Sequence, residues 1–268
     1  MNLITFLSDF GQSDGYTGSV KGMILSINPR VQIVDISHAV QPYRIEQGAY
    51  ILASTYQKFP RETVHLAVVD PGVGDTQRRP IILKTAHYFF VGPDNGLFTF
   101  VMQKEDHQAY QIDLPGLKRL QPDIPVSPTF HARDIFGPVA ALLAKEGSKL
   151  LNRLAQPLKP TPQMLAEGIR YDRQTVRVRV IMVDHFGNII TACSRSQLPQ
   201  NTVGKIRTIK INDIVLTSVY HTYSDVQPGC LLALWNSAGF LEIAVNQGSA
   251  ADKLGCTGNL EQVEIVLE

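Results

Sequence analysis

At 268 residues, with 44% hydrophobic and 18% charged residues, the chain has the composition of a soluble globular protein with a sizeable core. Its 25 basic and 24 acidic side chains leave a formal net charge of +1, which supplies no electrostatic drive toward nucleic acid or an anionic membrane. No stretch approaches the roughly 20 apolar residues of a membrane-spanning helix, and three widely spaced cysteines (Cys193, Cys230 and Cys256) form no disulfide framework or CxxC pair.

The N-terminal Met1-Asn-Leu-Ile-Thr-Phe-Leu7 reaches Asp9 without a basic leader, so a cytoplasmic location is expected. Leu3 to Leu7 reads as a first strand closed by Ser8-Asp9-Phe10-Gly11. Asp14-Gly15 then opens a helix from about Thr17 to Ile27, stopped by Asn28-Pro29. Two carboxylates on this turn, Asp9 and Asp14, are acceptors suited to ribose hydroxyls or an ammonium, although on this stretch alone Asp14 reads first as the helix cap. A strand from Val31 to Ile36 and a helix from Ile45 to Tyr56 continue a strand-helix alternation that argues for a layered α/β domain.

Val64 to Val69 is a nearly uninterrupted apolar run, the pattern of a strand buried on both faces of a parallel sheet. It stops at Asp70-Pro-Gly-Val-Gly74, with Arg78 and Arg79 just beyond. Ligands of open α/β sheets bind past the carboxyl ends of strands, which is where Asp70 falls. Strands at Ile81–Lys84 and Tyr88–Val91 follow, joined by Thr85-Ala-His87, and Gly92-Pro-Asp-Asn-Gly96 is a dense turn cluster before an element beginning at Leu97. His131, in Phe130-His-Ala-Arg-Asp134-Ile-Phe-Gly-Pro138, lies near the start of an apolar helix around Val139 to Leu143, a setting that favours an anionic partner. His38, His65, His87, His107, His185 and His221 have no comparable setting.

Leu158-Lys-Pro-Thr-Pro162 is the best boundary, dividing residues 1–160 from 163–268. Beyond it Thr175 to Val183 alternates valine with arginine, the period of a half-exposed antiparallel strand. Asp184-His-Phe-Gly-Asn188 turns into Ile189–Ala192, and strands at Ile206–Ile211, Ile214–Tyr220, Cys230–Trp235, Phe240–Val245 and Val263–Leu267 complete a small β-barrel or sandwich. A phosphate-binding GxxxxGK[ST], HExxH, GxSxG and zinc-type His/Cys spacings are all absent. No metal is expected, and the chemistry left is that of carboxylate, guanidinium and imidazole.

Four motifs in order carry a resemblance: Ser8-Asp9-Phe10-Gly11 with Asp14; Val69-Asp70-Pro-Gly-Val-Gly74 with Arg78-Arg79-Pro80; His131-Ala-Arg-Asp134-Ile-Phe-Gly-Pro138; and Asp184-His-Phe186-Gly-Asn188 with Asn236-Ser237-Ala-Gly239. Together they resemble the S-adenosylmethionine hydroxide adenosyltransferases, relatives of the enzymes that attach fluoride or chloride to the same substrate. The resemblance implies an N-terminal Rossmann-like α/β/α domain, a small C-terminal β-barrel, and a homotrimer with sites at subunit interfaces. It implies hydrolysis of S-adenosylmethionine (a substrate, no cofactor being needed) to adenosine and methionine by water or hydroxide at the ribose C5′.

By the same resemblance Asp70, Arg78 and His131 form the catalytic set, with Arg79 as the alternative arginine because the loop after Asp70 is one residue longer than usual. Asp9 would hold the ribose, Asp14, Asp184 and Ser237 the methionine end, and Asn188 the adenine, with Phe186 packing on a ligand face. Arg133 and Asp134 would support His131 and cap its helix. Two rival readings are a halogenating sibling, disfavoured by the short Thr85–His87 link, and a non-catalytic S-adenosylmethionine sensor, which would need no Asp70, Arg78 and His131. A different nucleoside-cleaving hydrolase on a similar scaffold is a third.

Overall fold

The computed structural model describes residues 2–160, 169–172, 174–198, 206–256 and 262–267. The chain divides into two compact units, Met1–Gln163 and Met164–Glu268. Of the expected boundary, Leu158 is the last residue of a strand, and Thr161 and Pro162 lie outside the described residues.

The first unit is built on β1 (Leu3–Ser8), α1 (Tyr16–Ile27), β2 (Gln32–Ser37), α2 (Ile45–Thr55), β3 (Val64–Val68), β4 (Pro80–Thr85), β5 (Phe89–Pro93), α3 (Thr99–Lys104), β6 (His107–Ile112), α4 (Leu114–Leu120), α5 (Gly137–Glu146), α6 (Leu151–Leu154) and β7 (Ala155–Leu158). Its strands form one sheet in the order β2-β1-β3-β5-β4-β6-β7. The four strands β2, β1, β3 and β5 run parallel, whereas β4 is antiparallel to both of its neighbours and β7 to β6. The sheet is therefore mixed. The link of three residues between β4 and β5 is too short for the crossover that a parallel pair requires, so these two strands must form a hairpin.

β3 is central, and all five of its residues are buried. Val64, Leu66 and Val68 point to one face, where they pack with Val20 and Ile24 of α1 and with Val139, Ala140 and Leu143 of α5. His65, between them, points to the other face, among the rings of Tyr56, Tyr88 and Phe90. Strand alternation with helices on both sides is the reason that the run carries no polar face. Each of its large aliphatic side chains contributes about 1.5–3 kcal/mol by leaving water.

The second unit contains β8 (Ile169–Asp172), β9 (Thr175–Val183), β10 (Ile189–Ser194), β11 (Ile206–Ile211), β12 (Ile214–Leu216), β13 (Val219–Tyr220), β14 (Leu231–Trp235), β15 (Phe240–Val245), α7 (Ala250–Leu254) and β16 (Gln262–Leu267). The order is β12-β11-β16-β9-β10-β15-β14-β13, with β8 also on β9. β9 pairs with β16 along Thr175–Arg179 and with β10 along Val180–Val183. One long strand thus turns the corner between two halves of a sheet that curls into a nearly closed, barrel-like form. Val176, Val178 and Val180 fill its core, while the intervening Arg177 pairs with Glu264 at 3.2 Å. The single strand expected over Ile214–Tyr220 is instead two, because β12 pairs with β11 and β13 moves to β14. No helix among the described residues is long and apolar enough to cross a membrane. All three cysteines are free; Cys193 and Cys256 are buried and Cys230 is exposed.

Candidate active site

β3 ends one residue before Val69-Asp70, and the chain then folds through successive tight turns, with Val73 N–H donating to Asp70 O (3.2 Å), Asp75 N–H to Gly72 O (3.0 Å) and Arg78 N–H to Asp75 O (3.3 Å). Gly74 has φ +88°, and a Cβ there would stand 2.8 Å from the Pro128 carbonyl oxygen, so only glycine lets this turn lie against the segment leading to His131. A second tether comes from the Pro93-Asp-Asn-Gly96 turn, where the Asn95 side-chain amide donates to Val69 O at 2.8 Å.

The turns bring Asp70, Arg78 and His131 together. Arg78 Nη2 lies 2.7 Å from Asp70 Oδ2 and 2.7 Å from His131 Nδ1. The Asp70 and Arg78 side chains are 5% and 7% exposed. Guanidinium can only donate, so Nδ1 of His131 accepts and its neutral ring carries the proton on Nε2. The ring of Phe136 lies under the guanidinium, with Arg78 Cζ 5.4 Å from its centroid. Arg79 turns away and pairs with Asp94. The geometry therefore sets Arg78, rather than Arg79, beside the carboxylate and the imidazole.

Burial pushes the Asp70 carboxyl up to about 6, against the pull of Arg78; the Asp9 charge raises it further and the Gly72 N–H lowers it. Burial also lowers Arg78, with Asp70 and Asp75 opposing. His131 is held below its usual value by burial and then by the Arg78 charge, with Asp134 opposing. Despite the short approach of Arg78, neither Asp70 oxygen receives a well-aligned hydrogen bond, and Nε and Nη1 of Arg78 have none either. Buried charged atoms with unfilled hydrogen-bonding capacity are rare in folded proteins and point to a small polar ligand.

His131 opens a single π-turn, Ala132–Phe136, that runs into α5. Arg133 Nε and Nη2 donate to the buried Asp134 carboxylate at 2.6 and 2.9 Å. Asp134 Oδ2 accepts from Ser127 N–H at 2.8 Å, so it ties the preceding loop rather than capping the helix. Phe130, just before His131, meets Tyr16 (5.4 Å) and Phe10 (6.0 Å) edge to face, which joins the His131 segment to the Asp9 turn. Asp9 Oδ2 accepts from Tyr43 N–H at 3.0 Å. Asp14 is exposed and does not cap α1, whose N-cap is Gly15 without a side-chain bond.

In the second unit Asp184 Oδ1 accepts from the N–H groups of Phe186 and Asn188, both at 2.9 Å, and Oδ2 from the Asn188 amide at 3.0 Å. Asn188 is buried, and Phe186 is 73% exposed. Gly187, at φ +81°, must be glycine, since a Cβ would fall 2.1 Å from Ser249 Oγ. Ser237 is exposed on the turn between β14 and β15, where Asn236 Oδ1 accepts from Ala238 and Phe240 N–H at 3.0 and 3.1 Å. Because β10 and β15 are antiparallel and each begins at one of these turns, Asp184–Asn188 and Ser237 stand at opposite ends of that ladder.

The family profile for the SAM hydroxide adenosyltransferase N-terminal domain matches residues 4–152, and that for its C-terminal domain matches residues 178–261. The chain belongs to this family. A protein of Salinispora tropica named (R)-S-adenosyl-L-methionine hydrolase is 37% identical over 256 residues, covering 95% of this chain and 94% of its own. A fluorinase of Nocardia brasiliensis is 29% identical, covering 93% and 92%. A solved structure of an uncharacterized conserved protein from Thermotoga maritima superposes with a TM-score of 0.81 at 32% identity, over 98% of this chain and 99% of that one.

Three residues of the site escape the sequence reading. Tyr43, 72% exposed with φ +69°, holds a backbone conformation uncommon for a non-glycine residue and donates its N–H to Asp9; the preceding Pro42 is the only turn signal beside it. Asn95 sits in the recognised turn cluster, but its grip on Val69 is a contact between strands remote in sequence. His38, read as having no special setting, is buried between Ser8 and Asp35.

Proposed function

We propose that the protein hydrolyses S-adenosyl-L-methionine to adenosine and L-methionine, with water or hydroxide attacking the ribose C5′. The observation that carries this is the Asp70–Arg78–His131 contact set, in which one buried guanidinium spans a carboxylate and a neutral imidazole. The leaving group is a neutral thioether, so no general acid is needed. The difficult task is to make and aim the nucleophile. A carboxylate titrating at about 6 is ionised at neutral pH yet basic enough to take a proton from water. Arg78 and His131 Nε2–H supply donors for the hydroxide that develops.

In this reading Asp9 holds the ribose hydroxyls, Asn188 reads the adenine edge and Phe186 packs on the ligand. Asp14, Asp184 and Ser237 serve the methionine end, the last two from opposite ends of the β10–β15 ladder. Asp184 already accepts three hydrogen bonds from its own turn, so its first contribution is to orient Asn188, while its remaining lone pairs serve the ammonium. The parallel β2-β1-β3-β5 core supports a Rossmann-like description of the first unit despite its antiparallel strands. A cytoplasmic homotrimer with sites at the subunit interfaces, requiring no metal or cofactor, completes the proposal. Relatives at 34–37% identity named as hydrolases, against 29% for a fluorinase, and the short hairpin between β4 and β5 both favour water over halide.

The test is to incubate the protein with S-adenosylmethionine in ¹⁸O-water and analyse the products by mass spectrometry. Adenosine labelled at its 5′ oxygen, with free methionine, is the expected result. A 5′-halogenated product that requires added halide, or substrate bound but uncut, would overturn the hydrolase reading.

A further inference from the structure

We propose that His38 is a positioning residue for Asp9, gripping both ends of the Ser8–Gly11 turn that carries this carboxylate. The inference rests on the reading of Asp9 as the ribose-binding group. At one end of the turn, Ser8 Oγ lies 2.7 Å from His38 Nδ1. At the other, Gly11 N–H donates to the His38 carbonyl at 2.8 Å. Asp9 sits between these two anchors, and its own carboxylate is met by the N–H of Tyr43, five residues beyond His38. Phe10 N–H reaches back to Ser8 Oγ at 3.4 Å, and Thr17 Oγ1–H donates to Gly11 O at 3.1 Å, so the turn is held from inside as well.

The far side of the imidazole faces a carboxylate. His38 Nε2 lies 3.1 Å from Asp35 Oδ1, and Asp35 Oδ2 lies 2.5 Å from Lys21 Nζ. The Nε2 approach is off the ideal hydrogen-bond line, so its pull is first of all electrostatic. A carboxylate there favours the proton on Nε2, which leaves the Nδ1 lone pair to accept the Ser8 hydroxyl. Burial, outweighing the attraction of Asp35, keeps the ring neutral below its usual range, while Lys21 adds to the same effect. For Asp35 burial acts upward, but the bonds from Lys21 and His38 win and hold it ionised. Lys21 on α1, Asp35 and His38 at the end of β2, and Ser8 at the end of β1 thus form a directed row that ends beneath Asp9.

A serine, a histidine and an aspartate in contact also suggest a hydrolytic triad. The geometry rejects that use, because Ser8 is fully buried and offers no face for a substrate to reach. What remains is orientation. A carboxylate must hold a pair of ribose hydroxyls to within about half an ångström to discriminate them, and its turn has no regular hydrogen-bond ladder of its own to guarantee that.

The experiment compares binding of adenosine and 2′-deoxyadenosine by calorimetry to the full-length wild type and to His38→Ala, His38→Asn and Asp9→Asn. The wild type should prefer adenosine by about tenfold or more, the scale of one charge-assisted hydrogen bond. Asp9→Asn and His38→Ala should each reduce that preference to about threefold or less. His38→Asn should restore most of it, because the asparagine oxygen can replace Nδ1 as the acceptor for Ser8. A merely structural role for His38 would weaken both nucleosides alike and leave their ratio unchanged, and that outcome with a folded His38→Ala protein overturns the proposal. If His38→Ala does not fold, Ser8→Ala should lower the preference in the same way, and an unchanged ratio in that variant overturns the proposal equally. If the wild type itself shows no preference while Asp9→Asn binds normally, the ribose reading of Asp9 falls, and the role of His38 falls with it.

Discussion

The Asp70–Arg78–His131 cluster and the Asp184–Asn188 turn are both built on strand ends, yet they handle their polar atoms in opposite ways. Asp184 commits its carboxylate to its own turn, so that the hairpin is internally satisfied and presents a fixed amide and an exposed ring. Asp70 and Arg78 are buried with hydrogen-bonding capacity unfilled, and the carboxyl is pushed up toward neutrality. A satisfied polar turn is rigid and suits recognition. A desolvated charge cluster with unfilled hydrogen-bonding capacity costs stability and suits chemistry, because its donors and acceptors are completed only by the reacting group.

That contrast is broken most sharply at Asp70. Asp70→Asn should lower turnover by about 10²–10⁴-fold, the range for removing a general base, while calorimetric affinity for S-adenosylmethionine changes little; near-normal turnover would remove Asp70 from the chemistry. Arg78→Met should cost about 10²–10³-fold in kcat, and Arg79→Met much less, since Arg79 pairs with Asp94 instead. Steady-state kinetics on the two variants decides between the arginines, and a reversed order would reassign the role.

In the second region the expected losses are in binding. Asn188→Ala should weaken adenosine by about 1–3 kcal/mol, the cost of unpaired buried groups, and leave methionine affinity unchanged. Equal loss for both ligands in calorimetry would mean that the turn had collapsed rather than lost a reader. The smallest expected effect is on the pH profile. Asp70 must be ionised to act as base, and its folded value lies near 6, so log kcat/KM should fall with unit slope as pH drops below about 6. His131, held below its usual value by burial and by the Arg78 charge, is neutral at neutral pH. An acid limb near pH 4 would show that burial does not raise Asp70.

Much of this was legible in the chain because periodicity records burial. The run Val64–Val68 had to be a two-faced buried strand, and the Val/Arg alternation of Thr175–Val183 had to be a strand with one wet face, since side chains alternate across a sheet. Glycines and prolines marked the turns at Asp70–Gly74 and Asp184–Asn188 because few other residues tolerate those backbone angles. The residue types in those turns were enough to suggest carboxylate, guanidinium and imidazole chemistry, and their order along the chain suggested the family.

Pairing was beyond reach of local signals. Nothing near Arg78 distinguishes it from Arg79; the choice comes from a turn pressed by Gly74 against Pro128, which points one guanidinium inward and the other toward Asp94. β6, α4 and β7 were missed because short, half-polar segments such as Ala155–Leu158 acquire strand structure only from the neighbour they pair with. His38 looked like any histidine until β1 and β2 lay side by side and set Ser8 and Asp35 on its two nitrogens. Sequence by itself determined where the backbone turns and which residues are buried, because those follow from local sterics and hydrophobic period. Only the tertiary structure decided which buried charges meet, because that depends on contacts between segments far apart in the chain.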